Sequence, residues 1–168
     1  MEKTYQEVAD YYDKIWNDLE QESKTGVLSR HRMILLKLKQ AGFNSKSTLL
    51  EIGCGIGTLS SYLAKTNIDG KVDAVDISPA TIEFAKNKYK GLKNLEFFVS
   101  DMTDFSIDKK YDFILFPDVL EHIPVEAHEN IFNTIKNFCH DNSIVAINLP
   151  TARSLRWFHK NKPEALQI

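Results

Sequence analysis

A chain of 168 residues, 43% of them apolar, has the length and composition for one domain with a sizeable core. Its formal net charge of −2 offers no global basic field to nucleic acid or an anionic membrane, and its apolar runs are too short for a transmembrane helix. Two cysteines, Cys54 and Cys139, make neither a disulfide framework nor a zinc set, so a reduced, cytoplasmic setting is expected.

The opening MEKTYQEVADYYDK is polar and acidic, unlike a signal peptide with its basic end and apolar middle. In YQEVADYYDKIWNDLEQES, Tyr5, Val8, Tyr12, Ile15, Trp16 and Leu19 recur near helical spacing. SRHRMILLKLKQAG then sets Met33, Ile34, Leu36, Leu38 and Ala41 among basic residues, with Gly42 as a stop signal. Residues 1–42 are therefore expected to form a helical N-terminal piece lying over a core at 43–150, with 151–168 as a tail.

From residue 48 the period changes. TLLEI reads as a short buried strand ending at the glycine cluster GCGIG, and TLSSYLAK as a helix. KVDAVDI is a second strand, and SPATIEFAKNKY opens a helix with Ser78 as N-cap and Pro79 at its first position. LEFFV, YDFILF and SIVAINL are three more strands; before the last, PVEAHENIFNTIKNF spaces Ala127, Ile131, Ile135 and Phe138 as a helical face. The strands fall at 48–52, 71–76, 95–99, 111–116 and 143–149. Strands alternating with helices predict an α/β fold, a parallel sheet with helices on both faces and right-handed crossovers.

LLEIGCGIGTLS is the most informative stretch. A strand, a tight glycine turn and a helix imply that backbone comes close to something. A dinucleotide fingerprint needs glycine at 58, where this chain has Thr58; its glycines are Gly53, Gly55 and Gly57, with Cys54 between the first two. Glu51 stands two residues before the first glycine, which suits a ligand with an ammonium group and no phosphate. Asp76 ends the second strand at the spacing from which an acid accepts from both hydroxyls of a ribose. Asp101, beside Met102, follows the third strand. Taken singly, the glycines can be turn chemistry and Asp76 part of the helix start.

LLEIGCGIGTLS, VDAVDIS, VSDMTDF and FILFPDVLEHIP, in this order over residues 48–150, resemble the class I S-adenosylmethionine-dependent methyltransferases. The resemblance implies a Rossmann-like, doubly wound sheet in the order 3-2-1-4-5, with S-adenosylmethionine as cofactor. It implies that Gly53, Cys54, Gly55 and Gly57 form the turn past which the methionine portion runs, with Glu51 near its ammonium. Asp76 would hold the ribose diol, Ile77 pack on adenine, and Asp101 and Met102 meet the adenine edge; Phe116 and Asp118 would flank the methionyl end. Tyr11, Tyr12 and Trp16 would either cap cofactor and substrate or pack into the core.

FPDVLEHIP places Asp118, Glu121 and His122 where the sulfonium methyl is expected to point. Methyl transfer expels a neutral thioether, so the enzyme must align the nucleophile and, for a hydroxyl, remove its proton; an imidazole suits that task. The triplet is also similar to the acid-x-x-Glu-His metal motif of ubiquinone-biosynthesis O-methyltransferases and small-RNA 2′-O-methyltransferases, with the shorter Asp118 in first place. On a helical turn, the three residues and a further ligand such as His159 would accept magnesium, manganese or zinc. The third alternative is that Glu121 and His122 brace the helix that starts at Pro124.

Family members continue past the fifth strand with a strand pair that does not follow here; TARSLRWFHKNKPEALQI reads as one short helix, Ser154 to His159. An apolar fifth strand would then show an open edge, so residues 150–168 or a second copy are expected to cover it. Arg153, Arg156, Lys160 and Lys162, with Trp157 and Phe158 between, read as a partly solvated helix whose aromatics pack inward; a grip on an acidic or sugar-nucleotide substrate or single-stranded RNA is the alternative. The sequence reading is a methyltransferase acting on the hydroxyl of a small molecule; a non-catalytic S-adenosylmethionine-binding module acting through a partner is its rival.

Overall fold

The computed structural model describes residues 26–103 and 105–161; the expectations for the aromatics of the first 25 residues and for the last seven fall outside them. Five parallel strands form one sheet in the order β3-β2-β1-β4-β5: β1 Thr48–Ile52, β2 Lys71–Asp76, β3 Leu95–Val99, β4 Phe113–Pro117 and β5 Ile144–Asn148. Helices α1 (Ser29–Gln40), α2 (Thr58–Thr66), α3 (Pro79–Tyr89), α4 (Val125–Lys136) and α5 (Ala152–Asn161) complete the described elements. The architecture is Rossmann-like, in the strand order that the resemblance implies.

Side chains alternate across the sheet and divide the core into two layers. Leu49, Val72, Phe113 and Leu115 point to the face covered by Ile34, Leu35 and Leu38 of α1 and Leu59 and Leu63 of α2. On the same side, Ala74 and Phe97 meet Ile82 and Ala85 of α3. Leu50, Ile52, Val75, Ile114 and Phe116 point the other way, onto Ile131 and Ile135 of α4 and onto Phe138. Ser78 accepts the amide of Thr81 at 3.2 Å and Pro79 opens α3, so this helix starts where its capping residues dictate.

Three details depart from the sequence reading. β4 begins at Phe113 rather than at 111, because the amides of Tyr111 and Asp112 donate to the Phe138 carbonyl at 2.9 Å and the Thr48 hydroxyl at 3.0 Å instead of to the backbone of a neighbouring strand. The Tyr111 hydroxyl donates to Asp73 at 2.6 Å, and Asp112 accepts the Thr48 amide at 2.7 Å. In α1 the inward face is His31, Ile34, Leu35 and Leu38, while Met33 and Leu36 are about half exposed. α5 is longer than Ser154–His159, and Trp157 is 53% exposed rather than packed inward.

No strand follows β5 among the described residues, and α5 leaves Ile144, Val145 and Ile147 of β5 exposed. No described helix is long and apolar enough to cross a membrane.

Candidate functional site

The carboxyl ends of β1, β2 and β4 open on a cleft of two lobes that share Gly53, Gly55 and Asp118. This is the end of an open parallel sheet where ligands bind, at the point where strand order reverses between β1 and β4. The turn after β1 forms the divide. The amides of Gly53 and Cys54 both donate to the Val75 carbonyl, at 2.8 and 3.0 Å, and Gly57 donates to Cys54 at 2.9 Å.

All three glycines have positive φ, but they border different neighbours. A Cβ at Gly53 would overlap the methyl carbons of Val119, and one at Gly57 would lie 2.6 Å from the Phe97 ring. A Cβ at Gly55 would meet nothing within 4 Å. Gly53 and Gly55 both border the two lobes, Gly53 also packing against Val119, while the space beside Gly57 is filled by Phe97.

The first lobe is walled by Asp76, Ile77, Asp101, Met102, His122 and Pro124. Asp76 is held by the Gly55 amide at 2.7 Å and the Ser78 amide at 3.0 Å, so it braces the glycine turn and the start of α3 while facing the lobe. Burial raises the proton affinity of its carboxyl against the opposing pull of those amides. Asp101 accepts from the amide and hydroxyl of Thr103 through one oxygen, at 2.9 and 2.7 Å. Among the described residues, Met102 and Asp118 are the non-glycine residues with positive φ, 68° and 56°, and both line this lobe. Such strain persists where surrounding structure fixes it, and it clusters at binding sites.

The second lobe is lined by Glu51, Cys54, Thr58 and Pro117, with Arg30 and His31 arriving from α1. Glu51 is 1% exposed and accepts from the Ser60 hydroxyl at 2.6 Å; burial pushes its carboxyl up to about 8. Burial likewise raises the Cys54 thiol, helped by Asp76 and Glu51. His31 accepts the Leu28 amide at 3.3 Å, and burial, with Arg30 beside it, pushes the imidazole down to about 4, so it stays neutral. Arg30 lies 3.9 Å from Asp118, which also accepts from the Asn148 side chain. Arg30, His31 and Ser60 were missed by the sequence reading. A basic pair at the start of an apolar helix carries no signature of its own, although Arg30 is a cation within reach of a cleft otherwise lined by acids.

The turn after β4 differs from the expectation. Leu120–His122 is a single 3₁₀ turn, and Asp118 lies before it in a left-handed conformation, so the three polar residues do not share a helical face. Asp118 and His122 line the cleft; Glu121 does not, and its buried Oε2 has no hydrogen-bond partner among the described residues. Burial raises the Glu121 carboxyl. Among the described residues no three His, Cys, Asp or Glu side chains come together as metal ligands, so the set of Asp118, Glu121, His122 and His159 does not assemble. Phe116 is wholly buried with its ring centroid 6.0 Å from that of Phe132, and Pro117 and Asp118 border the cleft in its place.

A family model described as a methyltransferase domain matches residues 43–166. Malonyl-[acyl-carrier protein] O-methyltransferase 1 of Ilyobacter polytropus is 37% identical over 87 residues, 52% of this chain and 32% of that protein. (S)-coclaurine N-methyltransferase of Thalictrum flavum subsp. glaucum is 29% identical over 108 residues, 63% of this chain and 29% of that protein. The chain thus spans about a third of the length of these curated relatives. The crystal structure of a SAM dependent methyltransferase from Aquifex aeolicus superposes with a TM-score of 0.66 at 24% identity, covering 80% of this chain and 71% of that one. That likeness speaks to the fold.

Proposed function

The chain belongs to the class I S-adenosylmethionine-dependent methyltransferases, and from this premise we propose that it methylates an oxygen, in the first place a hydroxyl, of a small-molecule acceptor. The observation that carries the reading is the placement of two buried acids, Asp76 and Glu51, on adjacent strands either side of the open Gly55. One acid faces each lobe, as a ligand with a sugar diol at one end and an ammonium at the other requires.

S-adenosylmethionine bound there would supply an electrophilic methyl on a sulfonium. Asp76 would accept from the ribose hydroxyls, already oriented by Gly55 and Ser78. Ile77 and Met102 would pack on adenine and Asp101 would take its edge, while Glu51 receives the ammonium. Arg30, which lines the second lobe with Glu51, would be the cation for the methionyl carboxylate. Asp118, shared by both lobes, would lie nearest the sulfonium. His122, whose buried Nδ1 has no partner among the described residues, would take the proton from an acceptor hydroxyl at the cleft. Glu121, outside the cleft, would act only through the position of His122. In this reading residues 43–150 form the cofactor-binding core, and a second copy of the chain covers the open edge of β5.

Calorimetric titration with S-adenosylhomocysteine tests the cofactor. Incubation with S-adenosylmethionine and a panel of small hydroxyl, carboxyl and amine acceptors, read by mass spectrometry, tests the reaction. Methylated alcohols or acids support the reading; methylated amines alone, or tight binding without transfer to any acceptor, would overturn its oxygen chemistry.

A further inference from the structure

Among the described residues, Glu51 is buried in the second lobe without a counter-charge. The residue is 1% exposed, its carboxyl accepts from the neutral Ser60 hydroxyl, and no described Lys, Arg or His forms an ion pair with it. The cation that shares its lobe, Arg30, is instead 3.9 Å from Asp118. A carboxylate stripped of water and of a partner cation is costly, so such a group holds its proton.

Resting on the reading of this lobe as the methionyl site, we propose that the ammonium of the incoming cofactor displaces the proton of Glu51, making cofactor binding a proton-releasing step. The carboxyl O–H bond breaks with its electron pair left on oxygen, and the proton passes to solvent. The ammonium keeps its three protons and becomes the counter-charge that the buried carboxylate lacks. No oxidant or other reactant is involved.

The groups around Glu51 favour this exchange. Ser60 on α2 donates to the carboxyl and stabilises its charged form, but less than burial disfavours it. Asp76, at the end of β2, repels a second negative charge in the free protein. Cys54 in the glycine turn is a neutral thiol, raised by burial. From α1, His31 is neutral and Arg30 is drawn to Asp118 of the turn after β4. The ligand's ammonium then brings the positive charge that no described residue gives the carboxyl. With Glu51 lifted to about 8, roughly nine in ten free molecules hold the proton at pH 7.

The test is titration of the full chain with S-adenosylhomocysteine at pH 7 in two buffers of different ionisation enthalpy. The slope of observed heat against ionisation enthalpy is expected to show about 0.9 proton released per ligand. Affinity should rise close to tenfold from pH 6 to pH 7. Glu51→Gln should bind more weakly and release none. Infrared difference spectra of the unmodified protein give a readout that needs no variant: a protonated-carboxyl band should vanish on ligand addition. Clean binding with no proton release, or release that survives in Glu51→Gln, overturns this inference and leaves the methyltransferase reading standing. Failure to bind the ligand at all overturns both.

Discussion

The Asp76 carboxylate accepts the Gly55 amide at 2.7 Å, tying the end of β2 to the turn after β1. With its other oxygen it takes the buried Ser78 amide at 3.0 Å, so one side chain satisfies two backbone donors on two segments, the Gly55 amide being partly buried. Asp76→Ala should leave both amides unpaired, lowering stability by about 1–3 kcal/mol. It should also lower S-adenosylhomocysteine affinity tenfold or more, because the ribose loses its acceptor. Asp76→Asn, which keeps one acceptor oxygen, should fall between in denaturant melts and calorimetry. Equal affinity in all three proteins would remove Asp76 from the cofactor site.

The glycines of the turn separate ligand space from packing space. Gly55→Ala places a methyl in the open cleft without touching protein, so affinity should fall more than stability, which loses about 1–2 kcal/mol for the positive φ. Gly57→Ala drives a methyl onto Phe97 and should lose stability beyond that amount, with less effect on affinity per kcal/mol lost. Denaturant unfolding beside ligand titration checks the contrast, and the same ratio of effects in both variants would abolish it.

Glu51 makes the free protein sensitive to alkali. Its folded-state value, about 8, lies above the ordinary carboxyl value of 4.5, so between those limits the native state binds more protons than the unfolded one. Stability from this group is therefore full below pH 4.5 and is lost as pH rises toward 8, on the order of a few kcal/mol in total. Thermal melts of the ligand-free protein at pH 5.5, 6.5 and 7.5 should fall with pH, and those of Glu51→Gln should fall less. Parallel curves for the two proteins would show that Glu51 is not the titrating group.

The strands were readable because buried parallel strands and glycine turns leave strong local marks, as TLLEI before GCGIG does, whereas their order came only from the family resemblance. What escaped depends on direction rather than type. In α1 apolar residues stand on several faces, so periodicity did not separate Ile34 and Leu35 inside from Met33 and Leu36 outside. Phe116 lies at the right strand end for the cleft, but alternation along β4 turns its ring toward Phe132. Asp118 and Met102 adopt a backbone region that glycine advertises and they do not. Gly57 shows the converse limit, since a glycine signals close approach without saying to what, and its neighbour is Phe97.

His122 lines the cleft and has a buried Nδ1 with no partner among the described residues, so its removal should affect turnover more than binding. His122→Gln should keep S-adenosylhomocysteine affinity within a few fold and lower kcat on a hydroxyl acceptor by about 10²–10⁴. The loss should shrink as the acceptor becomes more acidic, because an already ionised oxygen needs no base. A loss of equal size on alcohol and carboxylate acceptors would assign His122 to positioning instead of proton removal.

Among the described residues no strand pairs with the outer edge of β5. Ile144, Val145 and Ile147 are 37%, 39% and 46% exposed, and Ile144–Asn148 contains no charge, proline or bulge to discourage pairing. The opposite edge is guarded: Glu96 of β3 forms ion pairs with Lys71 and Lys109, at 3.2 and 3.4 Å. Two copies of β5 meeting edge to edge would place no like charges against each other, so nothing electrostatic opposes a self-pair. Ile147→Lys should cost under about 0.5 kcal/mol of fold stability, since the exposed site leaves the ammonium in water. It should shift the protein toward monomer in sedimentation velocity, with the larger difference at low salt, where two facing lysines repel more strongly. Identical sedimentation of the two proteins at every concentration would mean that β5 pairs with no second copy.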